Sequence, residues 1–212
     1  MYVPPYHTPE PEIVDALLRN PGAADLVTPT ADGLVATTLP LYFDPARGPR
    51  GALIGHVARA NGHWRAAPVG ESLAILRGPD GYVSPAWYPS KREHGRVVPT
   101  WDYLLVHAHG TLVVHDDSDW LTPVVRHLTE IHEGGRVQPW SVDDAPAEYV
   151  AGQLRAIVGL ELAISRIEAK AKLSQNRPPA DIDAVVAAYR EGGRNDLAEA
   201  VERARPRDER RG

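Results

Sequence analysis

Apolar and polar positions alternate along much of the chain, and apolar residues recur at helical spacing in a few places. Ile13, Val14, Leu17 and Leu18 make a helical stripe within Pro11 to Asn20, with Pro and Glu at its start and Asn20-Pro21-Gly22 as its stop. Leu26-Val27 predicts a short strand, turned by Pro29 through Gly33. Leu34 to Phe43 is β-branched and apolar enough for a buried strand, with Pro40 marking an edge or a bulge. The turn-rich segment Asp44 to Gly51 leads into a returning strand, Ala52 to Val57, and Ala58 to Ala67 reads as a helix interrupted by Gly62. Ser72 to Leu76 and Tyr82 to Trp87 form the next strand pair, joined by a Gly-Pro-Asp-Gly turn at Gly78 to Gly81. Tyr103 to His115 is a further long strand, Asp117 to Glu133 a helix closed by Gly134-Gly135, and Gln138 to Ala145 a linker. Pro146 to Ala156 is helical and Ile157 to Ile167 alternates as a strand. After a loop at Gln175 to Ala180, two short helices finish the chain, and Pro206 to Gly212 is a polar tail. Six or so strands with helices inserted late predict a mostly β fold with flanking helices (α+β), a small β-barrel rather than a parallel α/β sheet.

Within this pattern Gly81 to Gly110 stands apart. It holds Trp87 and Trp101 with Tyr82, Tyr88 and Tyr103, and a charged run from Lys91 to Arg96 sits in its middle. Such rings carry one polar atom each and suit interfaces and flat ligands, and the charged run is expected to loop through solvent. An ordinary strand pair with aromatic cross-strand partners accounts for the same composition equally well.

Composition narrows the classes. The 212 residues suffice for one large or two small domains, and Cys is absent, which excludes disulfides, Cys-based zinc sites and a catalytic thiol. The net charge of -5 argues against a strongly basic nucleic-acid footprint over the whole molecule. No apolar run reaches membrane-spanning length, and MYVPPYHTPEPE has no basic region followed by an apolar one, so a soluble cytoplasmic protein with no membrane partner is expected.

GxGxxG after a strand, GxxxxGK[ST] and GxSxG are all missing, so no Rossmann site, P-loop or serine-hydrolase elbow is indicated. Gly55 to Arg65, GHVARANGHWR, puts His56, Arg59, Asn61, His63 and Arg65 beside Trp64 where a strand ends. Unpaired backbone N–H groups with cationic and amide side chains at such a corner suit a phosphate; a polar helix start with solvated charges explains them too. His107, His109 and His115 share parity on one strand but are too spread for one ion, so no metal is assigned. Asp116-Asp117-Ser118-Asp119 is a helix cap, and His127 and His132 carry no motif. Lys172 to Arg177, KLSQNR, packs two cations, two amides and a hydroxyl into six residues, which suits an acceptor-rich ligand or a plain polar turn.

These stretches together resemble the PaiB-type family, described as FMN-binding negative transcriptional regulators. The resemblance is carried by MYVPPYH at Met1 to His7, ATTLPL at Ala36 to Leu41, GHVARANGHWR, SPAWYPSK at Ser84 to Lys91, VVPTWDY at Val97 to Tyr103 with VHAHG after it, Pro139-Trp140 and KLSQNR. It departs from the family pattern at Thr38, Gly62 and Asp102, where His, Pro and Asn are usual. The resemblance implies a split β-barrel related to pyridoxamine phosphate oxidases over residues 1–178, with 179–212 as a C-terminal helical extension. It also implies a homodimer with FMN at the subunit interface. By the same analogy Thr37, Thr38 and Leu39 run beside the isoalloxazine, and His56, Arg59, Asn61 and His63 face the ribityl chain and phosphate with Trp64 packed nearby. Tyr88, Thr100 and Trp101 approach from the partner chain, and Lys172, Gln175 and Asn176 close the pocket. A regulator responding to flavin or redox state is the implied function, with DNA as a partner by analogy alone. An FMN-dependent oxidoreductase, with the charged loop as a substrate lid, and a haem-binding barrel with a strand His as axial ligand are the other readings.

Overall fold

The computed structural model describes residues 1–206. Twelve elements longer than a single turn follow one another: α1 (Pro11–Arg19), β1 (Ala23–Thr30), β2 (Gly33–Asp44), β3 (Ala52–Ala58), β4 (Ser72–Val83), α2 (Ser90–His94), β5 (Thr100–His115), α3 (Ser118–Glu133), α4 (Ala147–Arg155), β6 (Ile157–Lys172), α5 (Pro179–Glu191) and α6 (Asn195–Arg203). Strands hydrogen bond in the order β1-β2-β3-β6-β5-β4 and the ladder closes on itself as a barrel. The barrel with flanking helices expected from the alternation is therefore found. The pairs β1–β2, β1–β4, β2–β3 and β3–β6 are antiparallel, with Leu26 opposite Thr37 and His56 opposite Gly159 fixing the register.

Two compact units share these strands: Met1–Asp15, Arg77–Val106 and the chain from Glu168 form one, Ala16–Leu76 and His107–Ile167 the other. In the second unit α3 lays Val124 and Leu128 on Tyr42, Ala52 and Ile54, with Trp120 beside them. Burial of each such large apolar side chain stabilises the fold by about 1.5–3 kcal/mol. Gly159 makes room for Trp120, since a Cβ there would lie 2.1 Å from the indole. In the first unit α5 and α6 pack together and bury Val185, Tyr189, Leu197 and Val201.

Three local expectations are corrected. The Gly78–Gly81 turn does not exist, because β4 runs unbroken from Ser72 to Val83 and Pro85–Trp87 is a 3-10 turn. The glycines there serve close packing instead: a Cβ at Gly78 would meet Leu104 at 2.9 Å, and one at Gly81 would meet Leu197 at 2.5 Å. Ala58 to Ala67 is a short 3-10 turn over Gly62–Arg65, started by the Asn61 side chain accepting from His63 N–H, and not a helix. Most of the charged run from Lys91 is the exposed helix α2, stopped by Gly95 in the left-handed region (φ 67), rather than a loop. The polar tail expected from Pro206 falls, after Pro206 itself, outside the described residues.

Candidate functional site

The candidate residues fall into two groups, one in each unit. In the unit that contains β1 to β3, the end of β3 brings Thr37, Asn61 and His63 into direct contact. Asn61 Nδ2 donates to Thr37 Oγ1 at 3.3 Å, and its Oδ1 accepts from the His63 backbone at 2.9 Å. His63 is buried, with Nδ1 2.9 Å from Thr37 Oγ1 and Nε2 2.8 Å from Thr28 Oγ1, and Thr28 continues the chain to Ser72 Oγ at 2.8 Å. Burial holds the His63 pKa below that of an ordinary imidazole. Both ring nitrogens are thus occupied within the protein, so His63 fixes Thr37 and the corner. Thr28 and Ser72 escaped the sequence reading. The signal was available, for each is a hydroxyl residue in the buried parity of its strand, Thr28 after Ala24 and Leu26, Ser72 before Ala74 and Leu76.

Strand parity separates the β2 candidates. Thr37 and Leu39 share one face, whereas Thr38 is exposed on the other and donates to Asp25 Oδ1 at 2.6 Å. His56 does not join the network at the end of β3.

Arg59 is strongly engaged. Its Nε donates to the Arg155 carbonyl at 2.7 Å, one terminal nitrogen to the Ile157 carbonyl at 3.2 Å, and its fork grips Asp116 at 2.9 and 2.5 Å. The guanidinium keeps Asp116 below the usual carboxylate range. Trp64 Nε1 donates to the Arg59 carbonyl at 3.0 Å, and the exposed Arg65 guanidinium lies over the same indole at 4.2 Å.

The other group gathers around β5 and the turn after β6. Lys172 Nζ donates to Thr100 Oγ1 at 2.5 Å and to the Trp101 carbonyl at 2.6 Å. Gln175 folds back on its own turn, donating to the Ala171 carbonyl and accepting from Leu173 N–H, while Asn176 is exposed. Ser174 adopts φ 58, a costly conformation for a residue with a Cβ, and its hydroxyl lies 3.0 Å from both oxygens of Asp102. Asp102 is fully buried, with Tyr189 Oη at 3.4 Å from its second oxygen. Burial pushes the Asp102 carboxyl up to about 6, against the opposing pull of Ser174, Lys172 and Tyr189. Lys172 is lowered by its own burial, which Asp102 opposes. Asp102 was marked in the sequence only as a departure from the family pattern, and Tyr189 not at all, since a tyrosine in a helix carries no spacing signal.

The aromatic stretch divides. Trp101 is half exposed, donates from Nε1 to Asp80 at 3.0 Å and meets Tyr82 edge to face at 6.2 Å. Tyr88 is buried beneath Arg177, and Trp87 packs on Tyr189 at 5.4 Å. The surface reading thus applies to one half and the packing reading to the other.

The corner at the end of β3 suits the phosphate of a flavin: the Asp116 carboxylate sits on the Arg59 fork where two phosphate oxygens would sit, and Arg65 adds a second guanidinium beside it.

A closed six-stranded antiparallel barrel with such corners defines a flavoprotein-type split barrel. Solved structures agree on the fold: the FAD and heme binding protein of Mycobacterium smegmatis superposes with a TM-score of 0.57 at 19% identity, over 86% of this chain and 80% of that one. The flavocytochrome Anf3 of Azotobacter vinelandii gives 0.54 at 15% identity, over 76% and 67%. Residues 1–166 match the family described as "Putative FMN-binding domain". The protease synthase and sporulation protein PAI 2 of Bacillus subtilis is 32% identical over 184 residues, 85% of each chain. An uncharacterised Saccharomyces cerevisiae protein is 37% identical over 106 residues, and there the chain spans 63% of the relative's length. The chain belongs to this PaiB-type FMN-binding family, whose cofactor is FMN. No helix among the described residues is long and apolar enough to cross a membrane.

Proposed function

We propose that the protein is a cytoplasmic homodimeric regulator in which flavin occupancy or redox state biases contact with a partner or with DNA. The carrying observation is the corner at the end of β3, where Thr37, Asn61 and His63 are locked together beside Arg59, Trp64 and Arg65. There Arg59 would take the phosphate in exchange for Asp116, an exchange of low cost because exposed ion pairs contribute only ~0–1 kcal/mol. Thr37 and Leu39 would face the ring system, Tyr88, Thr100 and Trp101 would approach from the partner, and Lys172, Gln175 and Asn176 would close the pocket. FMN, when bound, supplies one- or two-electron redox chemistry. Membership in the family supports this reading, and the Bacillus relative is named for protease synthesis and sporulation.

Titration of FMN, followed by quenching of its fluorescence, tests the corner. Arg59→Ala combined with Asn61→Ala is expected to weaken binding at least tenfold, the loss of about 1.4 kcal/mol, while Lys91→Ala changes it little. Equal affinity in all three proteins would remove the corner from the site.

One observation favours a second reading, an FMN-dependent oxidoreductase. The helix that could enter a DNA groove after the Gly192-Gly193 turn is α6, and it carries Asp196, Glu199 and Glu202 against Arg203. Acidic side chains repel phosphates. Reduction of bound flavin by NADH or NADPH, with reoxidation by an added acceptor, would establish the enzyme. A gel shift at stated salt with the DNA upstream of its own operon would establish the DNA-binding regulator.

A further inference from the structure

His56 takes no part in the hydrogen-bonded corner it adjoins in sequence. Two residues after Ile54, it shares the face of β3 that α3 covers. It lines a cavity of about 190 Å³ with Val125, Trp140, Val142, Tyr149 and Leu154, all within one unit. No Asp, Glu, Lys or Arg is among the described residues lining it; the polar groups are His56, Gln153 and the two aromatic tips. A neighbouring cavity of about 280 Å³, also lined by Trp140, is by contrast edged by Arg126, Glu130 and Glu133. His56 Nδ1 is covered and has no hydrogen-bond partner among the described residues. A buried polar atom left unpaired is costly, and its usual explanation is a ligand or an ordered water. Burial also keeps this imidazole neutral at neutral pH, so it offers a hydrogen bond without offering charge.

We propose that this cavity is a binding site, separate from the Asn61–His63 corner, for a small uncharged monocyclic aromatic molecule bearing one hydroxyl. The ring lies among Val125, Val142 and Leu154 against the Trp140 and Tyr149 rings, and the hydroxyl bonds to the His56 imidazole. Size fits, since an apolar cavity of about 150 Å³ is enough for benzene. Charge fits too: a carboxylate or ammonium would lose hydration with no counter-ion among the described lining residues. The half-exposed Trp140 and Tyr149 give the ring a way in.

Phenol, toluene and benzoate, titrated into the intact protein and followed by amide chemical shifts, separate the alternatives without any variant. Phenol is expected to give saturable shifts centred on Val142, Tyr149 and Gln153, toluene to bind about tenfold more weakly for want of the hydroxyl, and benzoate to leave them unmoved. His56→Leu should bring phenol down to the affinity of toluene. Saturating FMN should leave the phenol shifts in place whether or not FMN occupies the corner at the end of β3. The proposal is overturned by absence of saturable shifts up to about 10 mM phenol. It is equally overturned by benzoate binding as well as phenol, by toluene matching phenol in the wild type, or by FMN displacing phenol.

Discussion

Asp102 has no exposed surface, and the turn covering it is held by the Ser174 hydroxyl on both carboxylate oxygens. With the group raised from 3.8 to about 6, the folded state keeps a proton that the unfolded chain has already lost between those values. Stability contributed by the neutral form is complete below pH ~4, falls as pH rises towards 6 and is then level. A shift of this size corresponds to roughly 3 kcal/mol. Asparagine, usual in the family here, has no charge to desolvate and can still accept from Ser174. Asp102→Asn is therefore expected to match the wild type in urea unfolding near pH 4 and to exceed it by up to ~3 kcal/mol above pH 6.5. A difference between the two proteins that stayed constant across this range would show that Asp102 does not titrate in the fold.

Gly62 tests the same logic at the level of a turn. It is the first residue of a 3-10 turn, a Cβ there meets nothing within 4 Å, and Asn61 before it is extended at φ -70, ψ 124. Each of these conditions admits proline, the residue usual in the family, and proline restricts the unfolded chain. Gly62→Pro is expected to raise stability by about 0.4–1 kcal/mol, read from the urea midpoint, with the Asn61 cap retained. Gly110→Ala should do the opposite, because its Cβ would lie 2.1 Å from the Ala163 carbonyl oxygen and the backbone of β6 cannot step aside; a loss of ~1–3 kcal/mol is expected. Elements of this kind also show what the sequence made legible. Alternation located the strands, since Leu104, Val106 and Ala108 of β5 and Val158, Leu160, Leu162 and Ile164 of β6 are buried at every second position. It failed at Gly78–Gly81, where the turn alphabet of Gly, Pro and Asp was used to admit Leu104 and Leu197. Only partner contacts, which lie far off in sequence, distinguish those two uses. The β3 corner was legible because its polar residues are adjacent in the chain. The partners of Thr28, Ser72 and Tyr189, and the burial of Asp102, were not, because folding alone brings Thr28 to His63, Ser72 to Thr28 and Tyr189 to Asp102.

A single chain leaves both units with bare apolar surface. In one, Leu34 is 75% exposed on the outward face of β2, followed on that face by the exposed Ala36, Thr38 and Pro40. In the other, Trp101 and Tyr82 are each 49% exposed, with Tyr2 at 81%. Exposed apolar side chains of this sort are where the second copy of the proposed homodimer would sit. Isologous pairing uses each patch twice, so one charged substitution places two charges in the interface. Leu34→Glu and Trp101→Glu are each expected to shift sedimentation from a species of twice the chain mass towards a single chain, without lowering the urea midpoint of that chain. If FMN is held by residues of both chains, its affinity must fall with the dimer and must also fall on dilution of the wild type below the dimer dissociation constant. Flavin bound with undiminished affinity by a sedimenting monomer would place the whole site within one subunit and leave the exposed rings to some other partner.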